Sequence, residues 1–175
     1  FSINDYMDLA LRGDIFTLGS WRLNAQSNYK KRYAFNGNFS LSYSKNLLGE
    51  RDLPNFEDRR DFFINWTHTQ DSKAHPNKRF SAKVNAGSSS YNQLNSTLSN
   101  NYLKNTLNSN ISYSYSWPDK PFNLTSNIRH SQNTLNNSLS ISLPDVAFSM
   151  TRINPFERKK ASGKQKWYEK ITLAY

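Results

Sequence analysis

A few positively charged side chains stand in rows of small polar residues, at intervals of two. In each row an arginine or a lysine lies two positions from an asparagine, with an apolar residue between them. The side chains concerned are Arg22, Asn24, Lys83, Asn85, Asn127 and Arg129. Cationic groups form charge-assisted hydrogen bonds with anions. These rows therefore favour polar contacts in a hydrated environment, with or without a bound anion.

The sequence contains no group of residues arranged for catalysis or for holding a metal. His68, His75 and His130 are isolated, and we predict that they are surface or loop histidines. The acidic cluster at 57–61 is interleaved with two arginines, which is typical of a solvated loop. Neither a phosphate-binding glycine loop nor a nucleophile motif is present, and there is no cysteine. We expect no enzymatic activity and no cofactor.

A two-residue periodicity predicts the elements that position the polar rows. From Leu107 to Trp117, and again from Phe122 to Ile128, apolar side chains alternate with Asn, Ser and Thr. Successive side chains of a strand point to opposite faces, so the pattern predicts a hairpin with one apolar face and one polar face. Each arm has roughly 8–11 residues, about what a tilted strand needs to cross a bilayer. The positions expected to face lipid are Trp21, Leu23, Phe39, Leu41, Tyr113, Tyr115, Phe122 and Leu124.

The composition suits a barrel wall around a hydrated interior. The apolar fraction is only 36%, whereas aromatic residues reach 14% and recur at regular positions. The net charge of +10 allows an anionic partner. Charge on a lipid-facing position costs about 2–4 kcal/mol near the bilayer centre, so we expect Arg22, Lys83 and Arg129 to face the lumen. Basic residues predicted in turns, such as Lys30 and Lys31, are expected to form a solvated or headgroup-contacting rim.

About nine strands follow from this alternation. They are predicted at 7–15, 21–29, 35–43, 62–67, 80–87, 107–117, 122–129 and 139–150, with a partial strand from Trp167, and the long loops at 45–60, 88–104 and 154–166. The apolar parity changes across Pro144, which predicts a β-bulge. The pattern is under way at Phe1 and continues to Tyr175, so we expect 1–175 to be a partial barrel domain cut from a longer chain at both ends. The predicted fold is all-β, with antiparallel transmembrane strands belonging to a larger barrel.

Several short segments, each present once, follow one another in a set order along the chain. They are Gly13–Trp21, Asn28–Tyr33, Gly37–Ser44, Trp66–Asp71, Trp117–Pro118 with Pro121–Leu124, His130–Thr134, Leu143–Asp145 and Arg152–Phe156. In order and spacing they resemble the barrel of the LptD family, the outer-membrane lipopolysaccharide-assembly proteins, in the form found in Bacteroidetes. No single segment is diagnostic, and the resemblance runs nearly from end to end.

The resemblance implies a bacterial outer-membrane protein that moves lipopolysaccharide into the outer leaflet through a hydrated lumen. It implies as partners lipopolysaccharide, outer-membrane lipid, a plug lipoprotein and periplasmic bridge proteins; we expect no nucleic-acid partner. One alternative is another outer-membrane β-barrel transporter, for nutrient uptake, which the alternation alone does not distinguish. The other is a secreted β-rich adhesin or anion-binding protein, which would need a closed core that buries the apolar face.

Overall fold

The computed structural model describes residues 1–95, 103, 105–153, 155–156 and 166–173. Its strands are β1 (Ser2–Asn4), β2 (Met7–Asp8), β3 (Ala10–Ile15), β4 (Trp21–Lys31), β5 (Phe35–Leu48), β6 (Glu57–Gln70), β7 (Lys78–Gly87), β8 (Thr106–Ser116), β9 (Phe122–Asn133) and β10 (Ser138–Met150). A short helix, α1 (Tyr91–Asn95), follows β7, and a 3-10 turn (Trp167–Lys170) lies beyond β10.

The strands form one antiparallel sheet whose order follows the chain. β1 pairs with β2, both β2 and β3 pair with β4, and from β4 to β10 each strand pairs with the next. The extensive contacts of each strand are with these hydrogen-bonded neighbours, and α1 contacts β6. The sheet is therefore a single open layer, which confirms the predicted all-β antiparallel fold and is consistent with a partial barrel. No helix in the described ranges is long and apolar enough to cross a membrane.

The register between neighbouring strands keeps apolar side chains on one face of the sheet and polar side chains on the other. Phe39 of β5 lies opposite Trp66 of β6, and the adjacent Ser40 lies opposite Asn65. The same match of apolar with apolar and polar with polar recurs between the other long strands. We call the face that carries Phe39 and Trp66 the apolar face, and the face that carries Ser40 and Asn65 the polar face.

Burial in this sheet is the reverse of that in a water-soluble domain. Among the described residues the buried hydrophobic side chains are Leu47, Ala82 and Leu107. The buried polar side chains are more numerous, and they are Ser27, Ser42, Ser44, Asn46, Asp61, Asn85, Asn92, Thr134 and Glu169. On the apolar face, Leu23 is 56% exposed and Leu41 38% exposed. Soluble domains bury most such side chains, so the apolar face has no protein layer against it in the described part of the chain.

The strands are connected at two ends. End I holds the connections 32–34, 71–77 and 117–121, and end II holds 16–20, 49–56, 134–137 and the described residues 88–95 that follow β7. Aromatic rings of the apolar face concentrate near end I, where they include Phe80, Tyr115, Trp117, Phe122 and Phe148, whereas Trp21 lies near end II and Tyr43 and Phe62 lie further inside their strands. An aromatic belt of this kind is typical of a sheet that meets a membrane interface.

The predicted bulge at Pro144 is confirmed. Ser142 pairs with Arg129 and Asp145 pairs with Asn127, so Leu143 and Pro144 together face one residue of β9. Proline lacks the N–H that a regular ladder needs, and the extra residue restores the apolar parity beyond it.

Several predicted boundaries were wrong. The loop predicted at 45–60 shrinks to 49–56, because β5 and β6 extend their ladder through charged positions such as Lys45 and Arg60. Lys30 and Lys31, expected in a turn, lie within β4. The segment 7–15 is broken at Leu9, and β1 is an additional strand, so ten strands replace about nine.

The elements outside the long strands also differ from the prediction. The partial strand expected from Trp167 is a 3-10 turn, which the Glu169 carboxylate stabilises by accepting a hydrogen bond from the Lys166 amide at 2.8 Å. The loop expected at 88–104 contains α1. Most of the loop expected at 154–166 lies outside the described residues.

Candidate functional site

The structure places the six predicted polar-row residues on one face of the sheet. Asn24 lies opposite Ser42 and accepts a hydrogen bond of 2.6 Å from its hydroxyl. Asn85 lies opposite Asn65 and accepts a 3.0 Å hydrogen bond from its side-chain amide. The remaining members, Arg22, Lys83, Asn127 and Arg129, share this face by register. The polar face is thus one surface of amides, hydroxyls and a few cations, with individual groups linked between strands.

The eight positions predicted to face lipid all lie on the opposite, apolar face. They are Trp21, Leu23, Phe39, Leu41, Tyr113, Tyr115, Phe122 and Leu124. Trp21 of β4 and Tyr43 of β5 are in ring contact with centroids 5.6 Å apart, and Trp66 of β6 contacts Phe80 of β7 at 6.4 Å. Neighbouring strands therefore hold their aromatic rings against each other along the sheet surface, without a covering layer.

Arg22 is already neutralised within the sheet. Its Nη2 and Nε donate to Asp14 Oδ2 at 2.8 and 3.0 Å, across the β3–β4 pair. Its Nη1 donates to the backbone carbonyl of Asn95, at the end of α1, at 2.8 Å. Asp14 also accepts from Arg12 at 2.9 Å. The Arg22 guanidinium therefore ties the segment after β7 to the polar face at end II, instead of presenting an unpaired charge.

The segment Ser88–Asn95 folds back over the polar face at end II. The Ser90 hydroxyl donates to Asp61 Oδ1 at 2.5 Å, and the Tyr91 ring stacks on Phe63 with centroids 5.0 Å apart. Asp61 is only 2% exposed, and its other oxygen accepts from Asn46 at 3.1 Å. We predicted a solvated acidic loop here, and that is wrong for Asp61. In β6, Asp61 points to the polar face, and the segment Ser88–Asn95 covers it there.

A polar cavity of about 790 Å³ lies at end I, where the hairpin of β1 and β2 folds against β4. Asp8 anchors this hairpin by accepting hydrogen bonds from the backbone and side-chain amides of Asn28, at 2.7 and 3.2 Å. The cavity is lined by hydroxyl, amide and carboxylate groups, including those of Asn4, Asp8, Asn36, Asn38, Thr67 and Thr69. Such groups form many weak hydrogen bonds with a hydrated polar ligand.

A hydrogen-bonded aromatic cluster on the apolar face was not predicted. The Tyr29 ring lies over Gly37 of the next strand, and its hydroxyl accepts from Trp66 Nε1 at 2.8 Å and meets His68 Nδ1 at 3.0 Å. His68 also stacks against Phe35 at 5.7 Å. The alternation pattern already assigned Tyr29 and Gly37 to the apolar face of their strands. Only the tertiary structure shows that the two residues lie opposite each other in the register of β4 and β5.

The histidines occupy positions different from those expected. His68 is in β6 and His130 is in β9, where its Nδ1 lies 3.1 Å from the Ser109 hydroxyl; His75 alone is in a connection. Both strand histidines lie on the apolar face, because side chains alternate between the two faces with period two along a strand. Within the described ranges, no three His, Cys, Asp or Glu residues are grouped so as to hold a metal ion.

Comparisons with known proteins give one match. A family model described as LptD protein matches residues 1–175, the whole chain. No curated protein matches and no solved structure matches. The family match agrees with the ordered segments and with the single antiparallel sheet, and because it covers the entire chain it shows the family. This chain belongs to the LptD protein family.

Proposed function

We propose that this chain forms part of the wall of a larger outer-membrane β-barrel, through which lipopolysaccharide reaches the outer leaflet. Membership of the LptD family supports a lipopolysaccharide-related function in the outer membrane. That family is a transport and assembly family and not an enzyme family. Residues 1–175 would be one partial barrel domain, and a plug lipoprotein and periplasmic bridge proteins would be its partners.

The observation that carries this proposal is the inverted burial of the sheet. The apolar face presents exposed leucines and aromatic rings, whereas Ser44 and Asp61 on the polar face are almost completely buried. Exposed apolar side chains are stable against acyl chains, and a face of hydroxyls and amides is stable against water. We therefore assign the apolar face to lipid and the polar face to the lumen.

The open edge of the sheet supports the larger barrel. In the described part of the chain, β10 pairs with β9 on one side and has no strand on the other. Unpaired backbone groups cost several kcal/mol each in hydrocarbon, so transmembrane sheets close into barrels. Further strands must then cover this edge in the membrane.

The polar face suits an amphipathic, anionic glycolipid. Its amides and hydroxyls offer many exchangeable hydrogen bonds, and the carboxylates of Asp14, Glu57 and Asp61 on this face already have partners within the sheet or the segment that covers it. A surface of this kind lets sugars pass without trapping them, while the acyl chains stay with apolar surroundings. The other candidate, a soluble β-protein, would need a protein layer over the apolar face, and none lies there among the described residues.

Site-specific photo-crosslinking in the full-length protein tests this assignment. A photoreactive residue would be placed in three adjacent pairs, one of each pair on each face: Asn24 with Leu23, Asn85 with Val84, and Asn127 with Ile128. We expect the polar-face positions to form adducts with lipopolysaccharide that disappear when its delivery is stopped. The apolar-face positions should form adducts with membrane lipid that persist. Polar-face adducts with membrane lipid alone would refute the lumen assignment.

A further inference from the structure

Register brings two cations into one row at mid-height of the polar face. Lys83 of β7 lies opposite Asn110 of β8, and Asn110 lies opposite Arg129 of β9. Adjacent strands are about 4.8 Å apart, so the Cα atoms of Lys83 and Arg129 are separated by about 10 Å. Both side chains are long enough to converge above the shorter Asn110 side chain. Lys83 and Arg129 are far apart in the sequence, so no local sequence pattern indicates this row. We call it the cation row.

The cation row has no acidic partner, unlike the cations near end II. Arg12 and Arg22 pair with Asp14, and Arg59 pairs with Glu57. Lys83 and Arg129 form no ion pair with any described residue, and both are exposed. On the same face, the nearest carboxylate by register is Asp145, opposite Asn127, and it forms no ion pair with Arg129 either. The positive charge of the row is therefore available to a ligand.

The surroundings of the row consist of neutral hydrogen-bonding groups. An open groove of about 430 Å³ runs beside Arg129, lined by side chains that include Asn108, Asn110, Asn127, Ser131, Ser140 and Ser142. A guanidinium fork and an ammonium group that reach toward each other from the two ends of this row would suit the several oxygens of a phosphate. The hydroxyls and amides suit the sugar that would carry it.

We propose that Lys83 and Arg129, with Asn110 between them, bind a phosphate group carried by a glycolipid as it passes along the polar face. This inference rests on the proposed function, because it takes the polar face to be the lumen. Lys83 and Arg129 lie well inside their strands and not at the strand ends. The row would thus meet a phosphate inside the lumen, where rim residues that contact headgroups do not reach.

Equilibrium binding to the full-length protein in nanodiscs tests the proposal. The probes are lipopolysaccharide from the host strain, the same material after enzymatic removal of phosphate, and inorganic phosphate. We expect the unmodified protein to bind the phosphorylated glycolipid about tenfold more tightly than the dephosphorylated form, as two solvent-exposed ion pairs would give. The double variant Lys83→Gln/Arg129→Gln should lose this difference and bind both forms equally.

A matched variant removes the same charge elsewhere. Lys73→Gln/Lys120→Gln takes two exposed lysines from connections at end I, and it should keep the tenfold difference. Heat-modifiable migration in gels must show that both double variants are folded. The proposal that the cation row binds phosphate would be overturned if the unmodified protein bound the two glycolipid forms equally. It would also be overturned if the two double variants had equal effects.

Two further outcomes separate the possible causes of failure. Binding of inorganic phosphate as tightly as the phosphorylated glycolipid would assign the row to free phosphate and overturn the glycolipid proposal. If the unmodified protein binds neither glycolipid form, the proposed function fails together with this inference. If it binds both forms equally while the polar-face photo-crosslinks to lipopolysaccharide persist, only the proposal that the cation row binds phosphate fails.

Discussion

At the scale of single residues, Gly37 is the strand glycine of the described chain where an added Cβ would meet the closest neighbours. The Tyr29 ring crosses from β4 over Gly37 and reaches the Trp66 and His68 side chains of β6. An aromatic ring that covers a glycine on the next strand fixes the register of both strands. This cluster sits on the apolar face, where the Tyr29 hydroxyl finds partners without water.

We predict that Gly37→Ala destabilises the barrel. A Cβ at this position would collide with the Tyr29 ring and with the backbone carbonyl of Thr67. Overpacking of this kind costs roughly 1–3 kcal/mol, which should appear as a lower temperature of heat-modified gel migration for the full-length protein. The matched control is Gly13→Ala, where the new methyl group would meet Leu23 at 3.5 Å, an ordinary contact. Equal stability of the two variants would contradict the prediction.

At the scale of elements, the sheet depends on two irregular features. One is the segment Ser88–Asn95, which returns over the polar face and is held by Asp61, Phe63 and Arg22. The other is the bulge in β10, where Leu143 is 82% exposed and Pro144 interrupts the ladder. The first feature covers part of the polar face at end II, and the second keeps the apolar parity of β10.

Asp61→Ala should release the segment Ser88–Asn95. The change removes the acceptor of the Ser90 hydroxyl and of the Asn46 amide. We expect faster hydrogen–deuterium exchange for peptides covering 88–95, with the ladders of β5 and β6 still protected. Asp58→Ala is the control, because Asp58 pairs with Lys45 at 3.2 Å on the apolar parity of the same strands. Similar exchange in the two variants would show that Asp61 does not anchor the segment.

Deletion of Pro144 should be tolerated, whereas deletion of Ser140 should not. Without Pro144, Leu143 would face Ile128 and the alternation of β10 would run unbroken past the present bulge. Without Ser140, Ile141 would shift to the polar face, since a one-residue slip exchanges the two faces. The amount of folded full-length protein in the outer membrane, measured by gel migration, should be near normal for the first deletion and much reduced for the second. Equal amounts would contradict this account of the bulge.

At the scale of the whole molecule, the two faces of the single sheet require different environments, one apolar and one aqueous. The hydrophobic effect favours acyl chains on the side of Leu23, Leu41 and Ile128, which are all more than a third exposed. Water is favoured on the side of Asn24, Ser42 and Asn127. The proposed wall of a hydrated barrel would supply these two environments on opposite sides of a single sheet.

Spin labels should report the alternation across the whole sheet. Labels at Leu23, Ile64 and Ile128 should show high accessibility to oxygen and low accessibility to a water-soluble nickel reagent in membranes. Labels at the adjacent Asn24, Asn65 and Asn127 should show the opposite. Paramagnetic relaxation by the two reagents provides the measurement. Water accessibility on both faces would exclude a membrane wall and favour a soluble β-protein.

Much of this architecture was predictable because the alternation of a strand is local. Period two assigns Trp21 and Arg22, or Leu124 and Thr125, to opposite faces wherever the strand lies. The same local logic located the bulge at Pro144. It failed at charged strand ends, such as Lys45 and Arg60, because backbone pairing does not depend on the polarity of side chains there.

The sequence by itself determined the class of fold, the two faces of each strand and the family resemblance, since each depends on residues close together in the chain. Only the tertiary structure decided which strands are neighbours and in what register. Register placed the Tyr29 ring over Gly37, brought Lys83 and Arg129 onto one row, and buried Asp61 beneath a returning segment. These contacts join residues far apart in sequence, and their energy depends on pairing that no local pattern encodes.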